Sequence, residues 1–406
     1  MTRAADVGAP SSRLTPGLLA ALGYLSMAGS LSTDLYLPAF PDMAADLGIS
    51  ASAVQLTLTA FLIGAGLGQL TIGSISDALG RRRTLIVGLT LFVICCYLAS
   101  MSPSLEFLAL VRVLQGFAGA SGTVLSRAII ADLTEREEAV KAFSILFAMI
   151  ALGPALANPL GAWLTQVGGW RWALMGLAVL STGMLVAAVL FVPESLPPED
   201  RHPFRVSVLA GNIGRLARHR TYMLYAVAFA AGYASLLTYL SSSSFIVQDL
   251  LGLTPVGYSL TFAFGAVFIM IGSWGTGRIA HVFGAHGTLQ LAQLVIVLSA
   301  LAGLLVASFS QFTLISYLAV VAVFGIASGS IMATGSALAI GQAQRAAGAG
   351  SALLGCLQYL FGAVASPLGG ILGRDTAVPA MASMAFFGVV ALLSAAAAVR
   401  VRSRVS

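Results

Sequence analysis

Charge is scarce in this chain of 406 residues: 21 Lys and Arg and 15 Asp and Glu make 9% charged, against 58% hydrophobic. A soluble globular domain is roughly a quarter charged. So little charge cannot keep a chain of this length dissolved, which excludes a soluble enzyme and a disordered chain. Cysteine is equally sparse. Cys95, Cys96 and Cys356 all lie in apolar runs. The adjacent pair cannot close a normal disulfide, and the three have no metal-ligand spacing. A secreted disulfide scaffold and a metal centre are thereby excluded. No Gly-rich loop ending in Lys-Ser or Lys-Thr is present, so no nucleotide site is expected. The basic excess of +6 is small, and no nucleic-acid partner is expected. What the chain has in abundance is apolar length, with a mean hydropathy of +0.94. The bilayer is the solvent this composition fits.

Apolar runs long enough to cross about 30 Å of hydrocarbon fall at 17–38, 54–75, 84–101, 105–127, 142–165 and 172–193. They resume at 221–247, 256–276, 287–307, 312–338, 346–370 and 378–399. Barrel strands would be near ten residues with alternating polarity. These runs are longer and apolar all round, so the expectation is an all-α membrane protein with twelve transmembrane helices. The first run is full length and lacks a cleavage site, so it reads as a retained helix. With the N-terminus placed in the cytoplasm, all Lys and Arg except Arg112, Arg171 and Arg374 fall in cytoplasmic segments. Such a bias fixes orientation. One missed helix would invert every loop after it, so both termini are expected in the cytoplasm.

The longest polar stretch, 194–220, opens on Glu194-Ser195-Leu196-Pro197-Pro198 and then turns basic. It reads as a surface linker between six-helix halves at 1–193 and 221–406, its basic end lying against anionic lipid heads. An internal echo supports the division. Gly73, Asp77, Gly80 and Thr84 recur at an offset of 204 residues as Gly277, His281, Gly284 and Thr288. Only the aspartate changes. Both sets lie in the turn after the second helix of their half, as a duplicated unit requires.

The strongest local motif is Gly73-Ser-Ile-Ser-Asp77-Ala-Leu-Gly80-Arg81-Arg82-Arg83. Its glycines permit a tight turn. Asp77 can meet the positive end of the following helix and a nearby arginine. Twelve helices in two halves with this loop resemble the major facilitator superfamily. Three further pieces are similar to its bacterial drug:proton antiporters of the bicyclomycin and chloramphenicol resistance group. These are Thr33-Asp34-Leu35-Tyr36-Leu37-Pro38-Ala39-Phe40-Pro41, Gln55-Leu56-Thr57-Leu58-Thr59-Ala60-Phe61, and Arg112-Val-Leu-Gln115-Gly116 followed by Arg127 and Asp132. The fifth helix departs from the group. It has Gly153-Pro154, Ala157-Asn158-Pro159 and Gly161-Ala162, with the second proline one residue late. The resemblance makes this stretch the antiporter motif that seals the cavity against leak.

Buried charges in a membrane are functional hypotheses. Asp34 and Arg112 are the two well inside spans. Both lie roughly 10 Å from the outer face at 1.5 Å per residue. In the resembled fold helices one and four line the first half's cavity, where the two can pair. Asp34 is then the expected proton carrier and Arg112 the cavity organiser. Asp77 is expected to find Arg127 or Arg136 as partner, forming with Gly73, Gly80, Arg81, Gly153, Pro154 and Pro159 a conformational gate. The second half has no convincing intramembrane charge, so cargo should be held by shape, rings and neutral hydrogen bonds. Tyr36, Gln55, Phe61 and Gln115 are candidates in the first half, and Tyr233, Tyr239, Phe262, Gln358 and Tyr359 in the second.

The resulting expectation is a transporter and not an enzyme. It would act as a monomer in the bacterial inner membrane, without a cofactor. It would export small amphipathic drugs of the chloramphenicol, florfenicol or bicyclomycin kind against entering protons. The alternative is a proton-coupled carrier of a physiological metabolite in the same fold.

Overall fold

The computed structural model describes residues 14–134, 136–203, 205–309, 312–343, 347–373 and 375–403. Among these, every regular element is helical. The first run is broken into α1 (Pro16–Ser26), α2 (Ala28–Asp34) and α3 (Phe40–Asp46). Then come α4 (Ala51–Leu79), α5 (Arg81–Ser100), α6 (Leu105–Leu133), α7 (Arg136–Gly168) and α8 (Trp170–Phe191). A short amphipathic helix, α9 (Val206–Arg218), follows the proline-rich linker. The remainder is α10 (Arg220–Phe245), α11 (Pro255–Ser308), α12 (Leu314–Gly341), α13 (Ala347–Ala365) and α14 (Val378–Ser403).

Local chemistry sets the helix starts. Thr15, Ser50, Ser104, Thr254 and Thr313 are N-caps whose hydroxyls accept backbone N–H bonds. They satisfy first-turn donors that have no partner within the helix. Pro16 and Pro255 occupy first-turn positions, where a missing N–H costs nothing.

Among the described residues, ten helices are long and apolar enough to cross a membrane, and two local features separate that count from the sequence expectation of twelve. Gly284, at φ +69° and ψ 167°, interrupts the 54 residues of α11 and divides them into 255–283 and 285–308. The first run is not one long helix because it is interrupted at Met27 and again by the 3₁₀ turn Leu37–Ala39 containing Pro38. Ser30, Ser32 and Thr33 each hydrogen-bond to backbone carbonyls of their own segment, which competes with a regular ladder.

The turns on either side of the internal echo have the same form. Gly80 has φ +94° and ψ 151°, a region that side chains with a Cβ avoid. Thr84 Oγ1 returns to the Gly80 carbonyl at 2.9 Å, and Thr288 Oγ1 to that of Gly284 at 2.7 Å. The repeat seen in sequence is thus a repeated turn geometry.

Candidate functional site

The helix that carries Asp34 is short and tightly held. On α7, Gly161 lies against the Leu35 carbonyl so closely that a Cβ there would overlap it, and Gly153 faces Ser30 in the same way. Small residues allow this backbone approach. Pro154 and Pro159 both lie inside α7. Between them Asn158, the residue that displaces the second proline, donates its Nδ2 to the backbone carbonyl of Asp34 at 3.4 Å.

Asp34 itself is 4% exposed. Its Oδ1 accepts from Thr33 Oγ1 at 3.0 Å. Among the described residues it has no ion-pair partner. The hydroxyls of Tyr233, Tyr258 and Tyr359, all from the second half, stand within its electrostatic reach. A carboxylate so placed is buried, with a neutral hydroxyl of its own helix as donor.

Arg112 does not pair with Asp34, which corrects the expectation of an ion pair. The guanidinium is 0% exposed. Its Nη1 donates to Gln115 Oε1 at 2.7 Å and its Nη2 to the Ser32 carbonyl at 2.9 Å. The guanidinium carbon stands 4.4 Å from the Tyr36 ring centre and 4.6 Å from that of Phe61. Gln115 is in turn fixed by donation from its Nε2 to Cys96 Sγ at 2.9 Å, and Tyr36 by a 3.0 Å bond between its hydroxyl and Thr57. Equal depth did not bring the two charges together, because backbone and rings claim the arginine first. Three of the first-half residues expected to touch cargo, Tyr36, Phe61 and Gln115, enclose Arg112.

Gln55, the fourth of that group, joins the halves. Its Nε2 donates to the Ser241 carbonyl at 3.0 Å. Ser52 donates to the Pro367 carbonyl at 3.1 Å, and Gln248 to the Pro38 carbonyl at 2.9 Å. The Phe40 and Phe245 rings meet at 5.9 Å. Deeper in the seam, Thr59 donates to the Ala363 carbonyl at 2.8 Å. This end of the bundle is shut.

The other end, where the Gly80 turn lies, holds a cavity of about 830 Å³ bordered by α4, α6, α9 and α13. Gly73, Asp77, Arg81 and Arg127 line it. Asp77 is bound by Arg81, four residues on, at 2.5 Å, and the Nε of Arg81 reaches Asp132 at 2.9 Å. The Arg81 N–H donates to Glu194 at 2.8 Å, and the His202 N–H to the Asp77 carbonyl at 3.0 Å. The expected partner Arg127 is therefore not the one Asp77 uses; Arg127 sits 5.8 Å from the Phe147 ring centre. The side chain of Arg136, the other expected partner, lies outside the described residues.

In the second half, Tyr233 and Tyr359 form an edge-to-face pair at 6.3 Å, and Gln358 lies beside the Tyr233 hydroxyl. Tyr239 packs on Phe324 at 5.8 Å, and Phe262 on Tyr258 at 6.1 Å. Tyr258 and Asn158 were not singled out from sequence. The displaced proline in the fifth helix was the one signal that pointed to Asn158. Among the described residues, no group of three or more His, Cys, Asp or Glu converges to hold a metal.

Two bundles meeting at a seam, with a buried acid on the first helix and a charged turn after the second, define a multi-pass membrane transporter architecture. The sequence profile of the Major Facilitator Superfamily matches residues 21–367, and the chain belongs to that family. It is 34% identical over 379 residues to the uncharacterized MFS-type transporter YdgK of Bacillus subtilis, covering 91% of this chain and 94% of that protein. It is 26% identical to a bicyclomycin resistance protein homolog of Haemophilus influenzae, over 92% of this chain and 94% of that one. The crystal structure of the nucleoside transporter NupG superposes with a TM-score of 0.71 at 14% identity. That match covers 94% of this chain and 99% of the other.

Proposed function

We propose that the protein is a proton-driven exporter of small amphipathic antibiotics, working by alternating access in the bacterial cytoplasmic membrane. The resistance name carried by a relative of nearly equal length supports the substrate class. The observation that carries the coupling is Asp34, buried with no cation among the described residues paired to it. Ionising an unpaired carboxyl in low dielectric is costly. Protonation from outside removes that cost, and loss of the proton inside restores the charge. A drug that prefers one of the two forms is thereby linked to the gradient.

The chain crosses twelve times: once through the broken segment 16–46, twice through α11, and once through each other long helix. Residues 1–193 and 221–406 are the rocking halves, 194–220 is the cytoplasmic linker, and both termini are cytoplasmic. Neither cofactor nor second copy takes part. The form described here is closed outward and open toward the cytoplasm, ready to take up cargo.

Uptake of chloramphenicol, florfenicol and bicyclomycin into inverted vesicles with an imposed proton gradient tests this reading. Asp34→Asn is expected to lose gradient-driven accumulation by about a hundredfold or more, while purifying as a folded protein. That loss corresponds to about 2.7 kcal/mol or more of coupling. Wild-type accumulation in the variant rejects Asp34 as the proton carrier. No accumulation of any compound by the wild-type chain rejects the substrate class.

A further inference from the structure

Asn158 stands between the helix of the buried acid and a helix of the second half. Its own helix, α7, packs against α2 on one side and α11 on the other. The side chain is 0% exposed. Its Nδ2 donates to the Asp34 carbonyl, and the same side chain lies within hydrogen-bond reach of the Tyr258 hydroxyl on α11. Pro154 and Pro159 each remove one ladder bond from α7, so the helix is softest where Asn158 sits.

Tyr258 leads on to the seal. Its ring is buried, and its hydroxyl meets Ser243 Oγ of α10 at 3.0 Å. The neighbouring serines hold the sealed end. The Ser241 carbonyl accepts from Gln55, and Ser244 Oγ accepts at 2.7 Å from Gln248, which also donates to the Pro38 carbonyl. All four serines, 241–244, are buried. A line of neutral contacts thus runs from the Asp34 backbone through Asn158 and Tyr258 to the serine run.

The charged groups near this line are engaged elsewhere. Arg112 of α6 is bound to Gln115 and to the Ser32 carbonyl, and Arg127 stands further along α6 beside Phe147. Glu106 is exposed in the first turn of α6, and Asp132 at its far end is bound to Arg81. The charged residues of α7 all fall in its first two turns, at 136–141. Tyr24 of α1 donates to the Leu180 carbonyl of α8, and Arg171 of α8 pairs with Asp46. From α10 and α13 the hydroxyls of Tyr233 and Tyr359 reach toward Asp34.

We propose that Asn158 is the positioning residue that passes the protonation state of Asp34 to Tyr258, and through Tyr258 to the serines of the seal. This rests on reading Asp34 as the proton carrier. Ionised, Asp34 draws the neutral donors nearest to it, because a hydrogen bond to a charged acceptor is roughly twice as strong as a neutral one. Protonated, it releases them. Asn158 and Tyr258 then have two arrangements, and the seal is biased by whichever the proton selects.

Spin labels at Ala45→Cys on α3 and Ser308→Cys at the end of α11 report the width of the sealed end. Both positions are exposed, and the native cysteines are buried, so the introduced ones take the label. Distances are measured on the full chain in phosphatidylcholine nanodiscs from about pH 5 to about pH 9. The ratio of the two distance populations is expected to change about tenfold or more over this range in the labelled parent. Asp34→Asn should abolish the change. Asn158→Ala and Tyr258→Phe should each cut it to about twofold or less. Loss of packing alone would lower stability and leave the pH response in place. If Asn158→Ala does not fold, Tyr258→Phe, which removes one oxygen, decides.

A pH response lost in Asp34→Asn but kept in Asn158→Ala or in Tyr258→Phe overturns the inference and spares Asp34 as carrier. No pH response in the labelled parent overturns both. A response lost in all three variants, without accumulation of any antibiotic by the wild-type chain, supports the relay and sinks only the exporter reading.

Discussion

The turn after the second helix and its counterpart 204 residues later share a backbone but not a function. Gly80 and Gly284 both have positive φ, and Thr84 and Thr288 close the same side-chain bond. Around the first, Arg81 ties Asp77 to Asp132, and Glu194 of the linker caps the next helix through the Arg81 N–H. Around the second, the equivalent positions are His281 and Ala285. The basic residue nearby, Arg278, instead lies over the exposed Trp274 ring at 4.3 Å. Glycine and threonine make the turn, and the charges turn it into a clasp. The geometry is the same on both sides while the clasp stands on one.

That difference can be broken from either side. Gly80→Ala is expected to be the most damaging change, at about 3 kcal/mol, against about 2 for Gly284→Ala. Both place a Cβ where φ forbids it, but at position 80 it also meets Glu194 and Arg201, whereas at 284 it meets open space. Thermal unfolding of the detergent-purified variants measures the gap. Equal losses would mean that the linker contributes nothing to the first turn.

Removing the cation itself comes next. Arg81→Ala should cost about 1.5 kcal/mol, less than a fully buried pair because water reaches the orphaned carboxylates. Their side chains are 47% exposed for Asp77 and 21% for Asp132. The smallest effect is a transplant. His281→Asp with Ala285→Arg should create a four-residue ion pair worth about 0.5 kcal/mol. A double-mutant cycle by chemical denaturation reads it. A coupling of zero would show that the second turn does not present the two positions as the first does.

Much of the fold was legible because the bilayer demands long apolar helices, and those runs stand out without any contact information. The break in the first run was only half visible. Pro38 announces the second interruption, whereas nothing in the residues around Met27 marks the first. The candidate site was legible as residues and less so as partners. Asp34 and Arg112 stand out because charge within a span is rare. Their separation depends on helix rotation and on what else competes for the arginine, and neither is encoded in depth along the chain. The expected partners of Asp77, Arg127 and Arg136, lie on α6 and at the start of α7. The nearer answer, Arg81, was hidden among three consecutive arginines of which only one faces the carboxylate. Asn158 was visible as a departure from a motif, but its grip on the Asp34 carbonyl needed the two helices placed side by side.

The seal at the end away from the Gly80 turn has a consequence for how the transporter responds to its medium. Gln55, Ser52 and Gln248 close it through neutral donors to main-chain oxygens, whereas the Arg81 ion pairs lie at the opposite end and the Arg171–Asp46 pair nearby stays within the first half. Dissolved electrolyte shortens the reach of charges but barely touches amide-to-carbonyl bonds. Rising ionic strength should therefore weaken the charged turn while sparing the hydrogen bonds that join the halves at the sealed end, so the balance between the two becomes a property that brine alone can tilt.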